Sequence, residues 1–133
     1  MVNKSKKILS EISVGELLDK ISILEIKLEM VRDKNNLQEV NKEYKALKES
    51  QSLGIEYIEE IQILFKEIKK VNLILWKIED EIRNCEKNKD FGQSFIKLAR
   101  SVYLNNDKRA KIKAEINKIL GSNIKEIKQY NNY

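Results

Sequence analysis

The sequence has no histidine and no proline, and its 133 residues include one cysteine and four glycines. Without histidine, it lacks the commonest general base and metal ligand, and no Ser-His or Cys-His nucleophile pair can form. The lone cysteine, Cys85, excludes a disulfide framework and a thiolate zinc site. Sheet proteins need many turns, which are built on Gly and Pro, so the scarcity of both residues favours long helices.

Long apolar segments are also absent. No stretch approaches the roughly 18 consecutive apolar residues of a membrane span. The basic start MVNKSKKILS (1–10) lacks the apolar run and small-residue cleavage site of a secretory signal. We therefore expect no membrane association and a reducing, cytoplasmic location.

The chain is rich in charge, with 35% charged residues and a formal net charge of +5. Its cations are interleaved with 21 acidic residues, which favours a solvated surface over a nucleic-acid interface. Of the 26 cations, four are arginine and 22 are lysine. Where lysine is the default cation, Arg32, Arg83, Arg100 and Arg109 indicate positions that need a planar, forked donor.

Apolar residues recur at spacings of three and four, as on one face of a helix. A capping box at Ser13 and Glu16 begins the first helix, and Asp33 caps either a kinked continuation or a second helix. The first stripe consists of Val14, Leu17, Ile21, Leu24, Leu28 and Val31. The longest helix, about 55–87, carries Ile61, Leu64, Ile68, Val71, Leu75, Ile78, Ile82 and Cys85. This coiled-coil-like spacing predicts two long helices joined by a turn at 50–54.

A break with an N-cap at residues 105–107 predicts two short C-terminal helices, the last of which ends at Gly121. The predicted fold class is all-α: an antiparallel long-helix hairpin covered by two shorter C-terminal helices, in a helical bundle. We expect a basic lead-in at 1–12, a single bundle domain at 13–121 and a polar tail at 122–133.

Polar residues form a second stripe beside the apolar one on the longest helix. We predict that Arg83, Arg100 and Arg109 converge between helices with carboxylates, because a buried guanidinium needs acceptors. The cluster, either structural or ligand-binding, comprises Glu16, Asp19, Lys20, Trp76, Glu79, Asp80, Arg83, Arg100, Tyr103, Arg109 and Lys113. Within it, Glu16, Glu79 and Asp80 supply the carboxylates, and Trp76 or Tyr103 lies at the edge.

Three runs, GELLDKISILEIK (15–27), LWKIEDEIR (75–83) and FIKLARSVYLNNDKRAKIKAEIN (95–117), resemble the signatures of a small uncharacterised bacterial domain family of unknown function. The resemblance extends from residue 13 onward. It implies a domain that occurs alone or beside glycosyltransferase and tetratricopeptide-repeat proteins. It also adds Lys27, Asn106, Asp107 and Asn117 to the positions named above, whereas Glu39, Ile127 and Gln129 depart from the pattern.

The function is unknown, and three classes stay open. A non-enzymatic interaction or assembly module comes first, because wide apolar faces accompany a lack of catalytic residue types. A binding protein for a small anionic ligand, such as a sugar phosphate or sugar nucleotide, is the alternative. The third is a small helical enzyme like chorismate mutase or a nucleotide pyrophosphatase, although Lys20 and Arg83 oppose metal binding.

The expected partner is a second copy of the chain. Isoleucine and leucine lie outside the main stripes, at Ile23, Ile26, Ile63, Leu73 and Ile74. This apolar surface is wider than one partner helix can cover, so we predict a homodimer and allow for an unidentified protein partner. We expect no cofactor and no bound metal.

Overall fold

Four α-helices make up the ordered body of a computed structural model that describes residues 4–133. They are α1 (Val14–Met30), α2 (Lys34–Gly54), α3 (Glu59–Lys87) and α4 (Gln93–Leu120). The described residues contain no strand, so the predicted all-α fold class is confirmed. Residues 1–3 of the predicted lead-in lie outside this range. Across 4–133, no helix combines the length and apolarity needed to cross a membrane.

The helices begin and end largely where local chemistry requires. The Ser13 hydroxyl accepts the Glu16 N–H at 3.1 Å, and the Asp33 carboxylate accepts the Asn36 N–H at 2.9 Å. Such bonds satisfy amides that have no partner inside the helix. At its far end, α4 stops at Gly121, whose φ of 62° lies in the left-handed region that glycine adopts without strain.

Helix α1 is the centre of the bundle, because it contacts each of the other three helices. Helices α3 and α4 form the most extensive pair, whereas α2 packs only on α1. The core joins α1, α3 and α4 through Leu17, Leu18, Ile21, Ile61, Leu64 and Ile116. All six side chains are buried, which gives the bundle a continuous apolar centre.

The predicted break at 105–107 is wrong, because α4 runs through it as one helix of 28 residues. The Asn and Asp side chains at 105–107, which predicted an N-cap, form hydrogen bonds with other partners. Asn105 donates its amide N–H to the Ser101 carbonyl at 2.8 Å, one turn back. Asn106 accepts a long bond from Arg109, and Asp107 accepts the Tyr133 hydroxyl. With their side chains so engaged, these residues do not interrupt the helix.

The hairpins also differ from the predicted arrangement. Helix α2 continues through the expected turn to Gly54 and does not pair along α3. The backbone is extended at Ile55 and Ile58 (ψ of 127° and 166°), and this connection separates the two helices. The pair of long helices is therefore α3 with α4, joined by residues 88–92.

Candidate functional site

A buried carboxylate links three helices. Asp19 on α1 is 0% exposed, and its Oδ1 accepts the Asn72 amide N–H at 2.8 Å and the Arg109 Nε–H at 2.9 Å. Arg109 also donates from Nη2 to Asp19 Oδ2, which completes a bidentate pair. Asn72 donates a further bond to the Ser22 hydroxyl at 2.8 Å. These bonds offset the cost of burying the carboxylate, which is several kcal/mol for an unpaired ion.

A second cation is buried beside this pair. The Lys113 side chain is 7% exposed, and its Nζ lies 2.7 Å from Glu126 Oε2 and 3.1 Å from Glu16 Oε2. Burial opposes the charge, but hydrogen bonds to Glu126 and Glu16 outweigh it, so the pKa of Lys113 is raised. The same hydrogen bond from Lys113 lowers the pKa of Glu126. Lys20 lies at the rim, 3.8 Å from Glu16.

The first turn of α1 is tied to the end of α4. Gly15 N–H donates to Asn117 Oδ1 at 2.7 Å, and Val14 N–H donates to the Ser122 hydroxyl at 3.1 Å. A Cβ at position 15 would lie 2.7 Å from the Lys113 carbonyl oxygen. Gly15 has no side chain, so the antiparallel helices α1 and α4 can approach each other closely at this position. This close approach brings Asp19 to Arg109.

An open cavity of about 540 Å³ lies between α1, α3 and α4, next to the Asp19–Arg109 pair. Its walls are Ile23, Ile26, Asn72, Leu75, Trp76, Glu79, Asp80, Arg83, Asn106 and Arg109. The wall thus combines one indole ring and aliphatic side chains with amides, carboxylates and two guanidinium groups. Small-molecule sites are typically of this size and mixed character. We call this space the inter-helix cavity.

The two arginines in the inter-helix cavity keep free donors. Of the five guanidinium N–H groups of Arg109, Asp19 takes two and Asn106 accepts a third at 3.5 Å. The other two have no acceptor within residues 4–133. The hydrogen bond to Asp19 raises the pKa of Arg109 and fixes its charge. Arg83 donates only from Nη1, to the carbonyl and carboxylate of Glu79, and is exposed.

The structure divides the predicted cluster into two groups and leaves two residues outside. Glu16, Asp19, Lys20, Arg109 and Lys113 form the network between α1 and α4. Trp76, Glu79, Asp80 and Arg83 line the inter-helix cavity, whose wall Arg109 shares.

The predicted convergence of three arginines is wrong for Arg100. This side chain is exposed and has no ion pair among the described residues. Because α4 is continuous, Arg100 lies nine positions before Arg109 and points to the opposite side, about 180° around the helix. Tyr103 is also turned away from the inter-helix cavity and lies against the tail.

Three residues of the network were not predicted from the sequence: Ser22, Ser122 and Glu126. Ser22 follows Asp19 by three positions, so helical spacing alone was able to place both on one face. Ser122 and Glu126 belong to the tail, which has no periodic pattern from which a contact with α1 or α4 could be inferred. Their partners lie at sequence separations of 108 for Ser122 and Val14, and 13 for Glu126 and Lys113.

Three of the four acidic residues in the predicted cluster are paired with cations, and Asp80 has no ion pair among residues 4–133. Asp19 is held by Arg109, Glu16 by Lys113 and Glu79 by Arg83. In the part of the chain that the structure describes, no three side chains of metal-binding type are grouped to hold an ion.

Comparison with known proteins gives a family and nothing more specific. The model of a family described as "Family of unknown function (DUF6165)" matches residues 8–133. No curated protein and no solved structure matches the chain. The match confirms the resemblance to a domain family of unknown function and covers nearly the whole sequence.

Proposed function

The chain belongs to this family of unknown function, and from its own residues we propose that it is a binding protein for a sugar phosphate. The ligand lies in the inter-helix cavity. One observation carries the proposal: Arg109 lines the cavity, is fixed by the buried Asp19, and has two N–H groups that lack an acceptor within residues 4–133. A pre-oriented guanidinium binds an anion without the entropic cost of being ordered.

The phosphate is the part of the ligand that the arginines recognise. Arg109 and Arg83 line the same wall, and the Nε and Nη2 groups of Arg83 have no acceptor among residues 4–133. Guanidinium groups bind phosphate oxygens through paired, charge-assisted hydrogen bonds. Asp19 and Glu79 already balance the charge of these arginines, so the phosphate is held by hydrogen bonds from their free donors and not by excess positive charge.

The sugar is the part that the remaining wall recognises. Trp76 is half-buried and offers an apolar ring to the C–H face of a pyranose. Asp80 and Asn106 line the same space and supply acceptors and a donor for hydroxyl groups. The volume of about 540 Å³ is sufficient for one sugar phosphate.

Calorimetric titration of the full chain with hexose 1-phosphates tests this function. We expect saturable binding that Arg109→Lys weakens at least about tenfold, because lysine cannot reproduce the forked donors. Trp76→Ala should weaken binding as well, and it leaves the buried network intact. Arg100→Lys is the matched control on the opposite side of α4, and its affinity should equal that of the wild type. The proposal is contradicted if no binding is detected at millimolar ligand, or if Arg100→Lys loses as much affinity as Arg109→Lys.

A second candidate function, assembly through self-association, is supported by exposed isoleucines on α3. Ile63 is 52% exposed and Ile74 is 40% exposed, and their spacing of eleven residues puts them on one helix face. We expect the homodimer in sedimentation at micromolar concentration and its loss in the double variant Ile63→Ser, Ile74→Ser. A wild-type chain that sediments only as the 15.7 kDa monomer rules this candidate out.

As part of the same proposal, the protein acts in the cytoplasm. The support is chemical: Cys85 is the single cysteine and is half-buried, with a free thiol. Free thiols persist in reducing compartments.

A further inference from the structure

A second, larger cavity opens on the other side of α4. It has a volume of about 1230 Å³ and lies between this helix and residues 128–133 of the tail. Tyrosine rings and lysine ammonium groups are prominent in its wall. We call it the tail cavity. Its wall meets the Asp19 network at Asn106, which accepts a bond from Arg109, and at Lys128, which lies near Glu126.

The tail cavity offers an aromatic platform. The rings of Tyr103 and Tyr133 meet edge to face with their centroids 5.5 Å apart, and both are exposed, by 44% and 81%. The Tyr133 hydroxyl donates to the Asp107 carboxylate, which holds the tail ring against α4. An exposed tyrosine ring can stack on any nucleobase, because every base has a π face.

The tail cavity also offers cations. Lys111 has no acceptor among the described residues, and Lys128 lies 3.7 Å from the nearest carboxylate, that of Glu126. An ammonium group binds phosphate oxygens as a point charge, without the directional demand of arginine. Rings that stack on a base and cations that bind phosphate therefore lie in one wall, together with the Asp107 carboxylate.

The two cavities are neighbours, because Asn106 lines both of them. On α4, Tyr103 precedes Asn106 by three residues and Arg109 follows it by three. Tyr103 and Arg109 are therefore six residues apart, about 9 Å along the helix axis and about 120° around it, with Asn106 midway between them. One ligand that follows the surface of α4 past Asn106 can therefore reach both cavities.

We infer that the natural ligand is a nucleotide sugar that spans both cavities. The base stacks on the Tyr103 ring with the Tyr133 ring against its edge, the diphosphate crosses Asn106 to reach Arg109, and the sugar rests on Trp76. This inference builds on the proposed function, because the sugar and its phosphate occupy the inter-helix cavity in both. It adds the base, the second phosphate and the role of the tail.

The test compares matched ligands on the full chain by calorimetry. The probes are hexose 1-phosphates, the corresponding uridine, guanosine and thymidine diphosphate sugars, and the free nucleoside diphosphates. We expect at least one nucleotide sugar to bind about tenfold or more tightly than its hexose 1-phosphate, as one added base stack provides. It should also bind more tightly than the free nucleoside diphosphate.

Variants assign the binding to the two cavities. Tyr103→Ala should reduce the affinity for the nucleotide sugar to that for the hexose 1-phosphate, which itself stays unchanged. Tyr103→Phe keeps the ring and should retain the wild-type affinity. Trp76→Ala should weaken the binding of both the nucleotide sugar and the hexose 1-phosphate. Circular dichroism melting of each variant establishes that it is folded.

Two results separate the possible failures. If every nucleotide sugar binds no more tightly than its hexose 1-phosphate, the inference is overturned and the sugar-phosphate function stands. If nucleotide sugars bind but Trp76→Ala and Arg109→Lys leave their affinity unchanged, the ligand does not use the inter-helix cavity. Both the inference and the proposed function then fall.

Discussion

At the scale of single residues, Asp19 connects stability with the site. It is fully buried, it receives bonds from α3 and α4, and it holds the guanidinium that lines the inter-helix cavity. Arg109 is 26% exposed at its side chain, so one edge of the pair is buried and the other faces the cavity. The same carboxylate therefore fixes the helix packing and orients the proposed ligand-binding donor.

Asp19→Asn should lower the free energy of unfolding by about 3 kcal/mol, because removing one partner of a buried pair leaves the other uncompensated. Urea denaturation followed by circular dichroism measures the change. Glu79→Gln is the control: it removes the exposed pair with Arg83, which contributes only about 0.5 kcal/mol in such settings. Equal losses in the two variants would contradict the buried role of Asp19.

At the scale of helices, the close contact of α1 with α4 depends on a position without a side chain. Gly15 places its N–H on Asn117 Oδ1 and its α-carbon against the α4 backbone at Lys113. The contact sets the register in which Glu16 meets Lys113 and Asp19 meets Arg109. A shift of α1 away from α4 would weaken all of these bonds together.

Gly15→Ala should destabilise the protein by roughly 1–3 kcal/mol, the usual cost of overpacking. The added Cβ would lie 2.7 Å from the Lys113 carbonyl oxygen, and a backbone atom cannot move aside cheaply. Gly54→Ala in α2 is the matched control, since no atom lies within 4 Å of its Cβ. Alanine's greater helix propensity, at most about 1 kcal/mol, should make that variant more stable. Thermal and urea unfolding of both variants measure whether each substitution raises or lowers the free energy of unfolding.

At the scale of the whole molecule, stability is unevenly distributed. Helix α2 contacts only α1, and Gln51 is its only buried residue, whereas eight residues of α1 are buried. The buried Gln51 Oε1 also has no hydrogen-bond partner within residues 4–133. The inter-helix cavity, by contrast, is built entirely on α1, α3 and α4.

Native-state hydrogen exchange should therefore find α2 opening at a lower free energy than the other helices. Regions with few buried apolar contacts open by local fluctuation, without global unfolding. The amides of α1 and α3 near Ile21 and Ile68, which are 0% exposed, serve as the internal reference. Protection in α2 equal to that of these amides would show that the four helices unfold as one unit.

Much of the helical content was determined by the sequence alone. The spacing of apolar residues, the caps at Ser13 and Asp33 and the stop at Gly121 are local features, and each sets backbone structure within a turn or two. The same spacing indicated that Trp76, Glu79 and Arg83 share one face of the longest helix, and they line one cavity.

The pairing of the helices and the composition of the site were decided only by the tertiary structure. Residues 105–107 have the side chains of an N-cap, yet they stay helical because their polar groups find other partners. That continuity turns Arg100 to the opposite side of α4 from Arg109. Gly15 meets Asn117 across 102 positions of sequence, and Glu126 reaches Lys113 from a tail with no periodic pattern. Local spacing gives the direction of a side chain from its own helix, but which helix lies opposite depends on how the whole core packs.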